Sequence, residues 1–255
     1  MNLWTCAAAT LCSLLAVMSA FAENTPAVRQ VHWLVGVWEG ELKSVPAPQG
    51  RFVEVWAVAG DGKASGVMGK AGEENPGKTE VTVMGPRVRI VNAVQSVVEL
   101  VREGDDRLVG TIVGKDGGRA QPFALTKRPE SPDSRILGRQ LIGTWEGSVW
   151  FVQITSENPR RLLHIYYVGQ NGDQWVAEGR FGYPGRPLKR INIEVVVDKI
   201  GNDPWITFAT PDVRPWIARL QLMHGKHLMG HIKRPGTGWG LPQHVEPPLN
   251  LERVD

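Results

Sequence analysis

Cysteine is nearly missing from this 255-residue chain: there are two, Cys6 and Cys12, and both fall within the first 22 residues. If that stretch is a leader that is removed, no thiol remains. Disulfide staples, thiolate metal ligands and a cysteine nucleophile are then excluded together. A strong charge of one sign is missing as well. The net charge is +3, and residues 1 to 22 carry no charged side chain, so processing would leave it unchanged. So small and scattered a charge argues for no nucleic-acid partner and no anionic membrane surface. Catalytic signatures are missing too: there is no Gly-x-Ser-x-Gly elbow, no His-Glu-x-x-His, no phosphate loop and no dinucleotide fingerprint. The paired acids Glu73-Glu74 and Asp105-Asp106 sit in turn-like stretches, where solvation is the ordinary explanation. No catalytic residue, metal ligand or cofactor is therefore expected.

What is present begins with the leader itself. Residues 1 to 22 form an apolar run ending in Ala20-Phe-Ala22, the small-x-small form cut by signal peptidase, followed at once by polar Glu23-Asn24-Thr25. The expectation is an exported protein, periplasmic or secreted, with no stable membrane span after processing. An uncleaved anchor is the alternative, because the run lies near the lower length limit for a span and its start lacks Lys or Arg. Without disulfides, an exported domain must be held by its core. Nine of the ten tryptophans lie beyond the leader, and each can bury on the order of 150 to 250 Å².

One phrase occurs twice. Leu34-Val-Gly-Val-Trp38-Glu-Gly40 matches Leu141-Ile-Gly-Thr-Trp145-Glu-Gly147, and later Leu108-Val-Gly110-Thr-Ile112 matches Leu228-Met-Gly230-His-Ile232. Phe123 to Arg128 pairs with Pro248 to Arg253 at the two ends. Three matches in the same order indicate two homologous units. The expected organisation is a signal peptide over 1–22, a first barrel over 23–128, a linker over 129–140 and a second barrel over 141–255. Pro129 and Pro132 with mixed charge mark that linker.

Within each unit, short β-forming runs alternate with turn chemistry and none is followed by a helical period. Phe52 to Val58, for example, meets Ala59-Gly-Asp-Gly62 and folds back into Ala64 to Gly69. Eight such strands are expected per unit, in an antiparallel meander. Side-chain alternation then assigns faces. With Trp38 and Trp145 inward, Gly40, Leu42, Gly147, Val149 and Phe151 also face inward, as do Leu108, Gly110, Ile112, Leu228, Gly230 and Ile232. Glu39, Glu41, Trp150, Met229 and His231 face out.

These Gly-x-Trp openings, each heading an antiparallel meander that closes on Leu-x-x-Arg or Leu-x-Arg, resemble the lipocalin-like or calycin barrels. They are similar in particular to small secreted bacterial Gly-x-Trp-Glu-Gly modules of uncharacterised function. The resemblance implies an all-β fold of two tandem antiparallel up-and-down eight-stranded lipocalin-like barrels. It implies that each tryptophan closes one barrel end while the open end can hold an apolar small molecule, and that Arg128 and Arg253, by position, are the basic residues stacked on the tryptophans. No ligand-contacting motif of the biotin- or fatty-acid-binding relatives is present.

The candidate ligand residues are Trp175, Phe181, Trp56 and Glu54. Trp175 and Phe181 add aromatic lining to the second barrel, where inward glycines would leave room for an apolar ligand. Glu54 and Trp56 share a strand face and could form a polar-aromatic platform. The alternative for Phe52 and Trp56 is packing against the other barrel, which, with outward Trp150, points to an intramolecular barrel-barrel contact. His227 and His231 lie about 13 Å apart along a strand, too far to share a metal. The expected function is an exported, non-catalytic binding protein with a small apolar ligand in a barrel. The alternatives are an interaction module with filled barrels, and an enzyme of unrecognised type.

Overall fold

The computed structural model describes residues 32–43, 48–73, 76–77, 79–149, 160–211, 215–236 and 246–254. The proposed leader, Trp150, Phe151, Trp239 and His244 lie outside the described residues. Eight strands come first: β1 (Gly36–Leu42), β2 (Gln49–Val58), β3 (Lys63–Lys70), β4 (Glu80–Met84), β5 (Arg87–Val91), β6 (Val97–Arg102), β7 (Arg107–Val113) and β8 (Gln121–Lys127). A helix, α1 (Pro132–Leu141), follows. Then come β9 (Gly143–Val149), β10 (Arg160–Asn171), β11 (Gln174–Gly182), β12 (Lys189–Val196), β13 (Trp205–Ala209), β14 (Ile217–Met223), β15 (His227–Lys233) and β16 (Pro248–Arg253). Each set of eight pairs in sequence order and closes on itself, β8 against β1 and β16 against β9. The protein is all-β with two closed eight-stranded antiparallel barrels, as the repeat predicts. Closure leaves neither barrel a raw sheet edge.

The repeated phrase has a physical job at each position. Gly36 and Gly143 adopt φ of +132° and +153°, a region closed to side-chain-bearing residues, and so turn the chain into the first strand. Two residues on, Trp38 and Trp145 are wholly buried. Their indole N–H groups donate to the carbonyls of Leu34 (2.8 Å) and Leu141 (3.0 Å), four residues earlier, so each plug carries its own polar partner.

The inward glycines do something other than expected. A methyl on Gly147 would sit 1.8 Å from the Asn250 carbonyl oxygen, and one on Gly110 would sit 1.9 Å from that of Glu99. Gly40 and Gly230 meet neighbouring backbone in the same way. These glycines let strands bend and approach closely as the sheet closes. They leave no room for a ligand, because the neighbouring strand already fills the space.

A helix stands in the stretch expected as the linker. Ser131 caps a helix there, its hydroxyl accepting from the Ser134 N–H at 3.1 Å, with Pro132 in the first turn where no N–H is needed. Leu137 and Leu141 are fully buried, and the helix packs on β10. Pro132, one of the two prolines that mark the linker, is a helix start.

A third correction concerns the plugs. Arg253 lies opposite Trp145 in register, its guanidinium 4.3 Å from the ring centre, as expected. In the first barrel the partner of Trp38 is Lys127, not Arg128. Its ammonium lies 5.8 Å from the ring, and burial holds its pKa below the usual lysine value. The end-of-unit match is therefore shifted by one, since Leu125 and Leu251 are the equivalent inward residues. Arg128 faces out, over the ring of Tyr167 at 5.0 Å.

Candidate functional site at the barrel junction

The barrels meet through corresponding strands. β2 packs on β10, β1 on β10, and β2 on β9. Since β1 corresponds to β9 and β2 to β10, this is the pattern of an approximate two-fold contact between related units. Both β2 and β10 carry a bulge at the same point, placing Trp56 and Tyr166 as the extra residues. A bulge re-aims its side chain. Here it brings both aromatic residues to the contact.

Glu54 is 1% exposed, and its Oε2 accepts from Nε of Arg180 at 2.9 Å across the junction, with Nη2 of the same guanidinium in ion-pair contact at 2.9 Å. Trp56 stacks on His164 with ring centres 4.9 Å apart and planes at 19°, and the Arg180 guanidinium lies 5.5 Å from the Trp56 ring. His164 Nδ1 shares a hydrogen bond with Thr144 at 2.9 Å. Outward from Glu54 the charges alternate. Arg190 lies 4.0 Å from Glu54 and donates to Glu178 at 2.5 Å; Arg128 bridges Glu178 and Glu39, each at 2.5 Å. Three arginines and three glutamates thus run in one chain. Tyr166 lies fully buried beside it, and burial, reinforced by the Glu54 charge, raises its hydroxyl pKa well above the ordinary tyrosine value.

The four candidate ligand residues do not come together. Glu54 and Trp56 lie at the junction, where the packing alternative had placed Trp56. Phe181 points into the second barrel, 2% exposed, with its ring edge-on to Phe208 at 5.2 Å. Trp175 is half-buried against the same core. Around Phe181, Leu163, Ile206, Leu220 and Leu249 show no exposed surface. A void large enough for water would leave exposed area on its lining even when sealed from solvent, so this part of the interior is packed.

Arg180, Arg190 and Glu178 escaped the sequence reading, and Arg128 entered it only as the expected partner of Trp38. All occupy outward positions on or just after strands, where alternation predicts solvent. Among the described residues, clefts on outer surfaces include one of about 500 Å³ beside Glu54, lined by Arg51, Arg128 and Arg190, and one of about 650 Å³ on the second barrel, lined by Trp205, Met229 and His231. Among the described residues no group of three or more His, Cys, Asp or Glu is placed to hold a metal.

No protein-family model matches the chain, and no curated protein matches it. Among solved structures it is similar to a protein of unknown function from the DUF3598 family of Nostoc punctiforme, at 11% identity and a TM-score of 0.24. That similarity covers 89% of this chain and 100% of the other.

Proposed function

We propose that this chain is an exported, non-catalytic binding protein of lipocalin-like architecture whose barrels are filled and whose partners meet its outer surface. The packed interior around Phe181 and Phe208 carries this reading. Supporting it, the inward glycines are occupied by backbone, and Glu54 and Trp56 are used in holding the barrels together. Export rests on the apolar run and Ala20-x-Ala22. Terminal sequencing of exported protein should begin at Glu23; an intact Met1 on membrane-bound material would mean an anchor instead.

A second reading, an apolar ligand inside the second barrel, is favoured by one observation, the half-buried ring of Trp175 at the edge of an apolar core. The two readings make opposite predictions for Phe181→Ala. A filled barrel does not take up an anilinonaphthalene probe, and the truncation opens a cavity that gains binding of a small apolar molecule such as benzene while costing about 3–5 kcal/mol. A carrier binds the fluorophore as wild type, and the same truncation weakens that binding. Tryptophan emission and fluorophore titration of both proteins decide between them.

A further inference from the structure

The outer face of the second barrel carries side chains that the first barrel does without, and the duplication supplies the comparison. Leu100 and Leu220 are buried opposite the matched Gly110 and Gly230, and pair on their other side with buried Val88 and Ile206. On the outward positions beside these anchors, Trp205, Arg219, Gln221, Met229 and Asn250 stand where the first barrel has Arg87, Glu99, Val101, Val109 and Ala124. The same strand framework closes with either set. Barrel formation therefore does not require an indole, two amides and a thioether on this face.

Four of those side chains form one row across the sheet. Trp205 on β13 pairs with Gln221 on β14, Gln221 with Met229 on β15, and Met229 with Asn250 on β16. Three strand spacings make the row ~14 Å long. It lines the cleft of about 650 Å³, a volume within the ~300–1,000 Å³ range of small-molecule sites. Solvent reaches the row: Met229 is 44% exposed, Asn250 is exposed, and Trp205 and Gln221 are half-buried. The Arg219 guanidinium lies 4.9 Å from the centre of the Trp205 ring and orients it. Among the described residues, the Gln221 and Asn250 amides hydrogen-bond to no protein group, so both are open to a ligand. The formal charges of the lining are one guanidinium, Arg219, and one carboxylate, the buried Glu246. They balance, which favours an uncharged ligand over an anion or a cation.

We propose that this cleft binds a short neutral oligosaccharide in extended, β-1,4-linked form, running across the strands with one ring against Trp205 and hydroxyls on Gln221 and Asn250. A sugar hydroxyl both donates and accepts, and a primary amide does the same, so each can satisfy the other whichever way the hydroxyl turns. The C–H face of a sugar ring is apolar and suits an indole or a thioether. A straight row longer than one ring matches an extended chain. The proposal deepens the outer-surface reading and rests on it.

Cellotriose and chitotriose, both uncharged and β-1,4-linked, are the probes. Titrated into the full chain, at least one should bind saturably by calorimetry and shift the indole N–H signal of Trp205, assigned from its loss in Trp205→Phe. Maltotriose, whose α-1,4 links coil the chain, should bind more weakly. Trp205→Ala should weaken binding roughly tenfold or more. Gln221→Val combined with Asn250→Ala, the residues the first barrel carries at these positions, should also weaken it roughly tenfold through two lost hydrogen bonds, with unchanged thermal unfolding. That double variant keeps the test decisive if Trp205→Ala fails to fold. Absence of saturable binding by either probe, or binding unchanged in these variants and in Phe181→Ala, overturns the proposal and leaves the filled-barrel reading standing. Concentration-dependent dimerisation that Trp205→Ala abolishes also overturns it, because the face then meets a second copy. Binding that survives both outer-face variants but is lost in Phe181→Ala overturns both readings, because the sugar then lies inside the second barrel.

Discussion

Glu54→Ala should destabilise the protein by about 3–5 kcal/mol, measured by urea unfolding. Glu54 and Arg180 side chains are 1% and 3% exposed, so solvent screening does little to soften the loss. Removing the carboxylate leaves a permanently charged guanidinium buried at the junction, where its Nη1 donates to the Leu188 carbonyl at 3.2 Å. The cost is that of an uncompensated charge, not the net worth of the pair. Glu54→Leu combined with Arg180→Met should therefore recover most of the loss, since neither charge then needs a partner. A double-mutant cycle reads the coupling directly. A loss below about 1 kcal/mol for Glu54→Ala would mean that water reaches Arg180, and that the junction is looser than its burial indicates.

Trp145→Ala should cost a similar amount, about 3–5 kcal/mol, for a different reason. The ring is wholly buried at the start of the second barrel, beneath the Arg253 guanidinium, which also donates to the Gln140 carbonyl. Truncation leaves a cavity that a closed barrel cannot collapse, because its strands are tied on both sides. It also strands the Leu141 carbonyl, which accepts the indole N–H. Trp145→Phe keeps most of the volume and loses the hydrogen bond, so it should cost less, about 1–3 kcal/mol. Thermal unfolding of the pair separates cavity from hydrogen bond. Equal losses for both would show that the indole N–H, not the volume, holds the plug.

The path from sequence to structure was clear wherever a signal was local. Leu34-x-Gly-x-Trp and its copy encode a carbonyl partner, a left-handed turn and a buried indole within five residues. Every one of those features depends on near neighbours in the chain, so the duplication could be read directly. Strand parity was equally legible: Leu108, Ile112, Leu228 and Ile232 are buried, while Thr111, Met229 and His231 are exposed. Parity also held the correction for Lys127. Lining up the inward Leu125 with Leu251 places Lys127, and not Arg128, across from the plug.

Other features depended on what lies across space. A glycine facing inward reads as room until the neighbouring strand's carbonyl is known to stand 2 Å from its absent methyl. Pro132 reads as a mark of the linker, and only the packing of buried Leu137 and Leu141 on β10 shows the helix it starts. Glu54 and Arg180 stand 126 residues apart, each on an outward face whose alternation says solvent.

By itself the sequence determined the duplication, the all-β meander of each unit and which side of each strand, Trp38 and Trp145 included, faces its own core. Those follow from alternation and turn chemistry, which act over a few residues. Only the tertiary structure decided which outward faces are buried, because a sheet has two faces and periodicity identifies only the one its own barrel covers. The docking of β2 on β10 turned Glu54, Trp56 and Arg180 from surface residues into a junction.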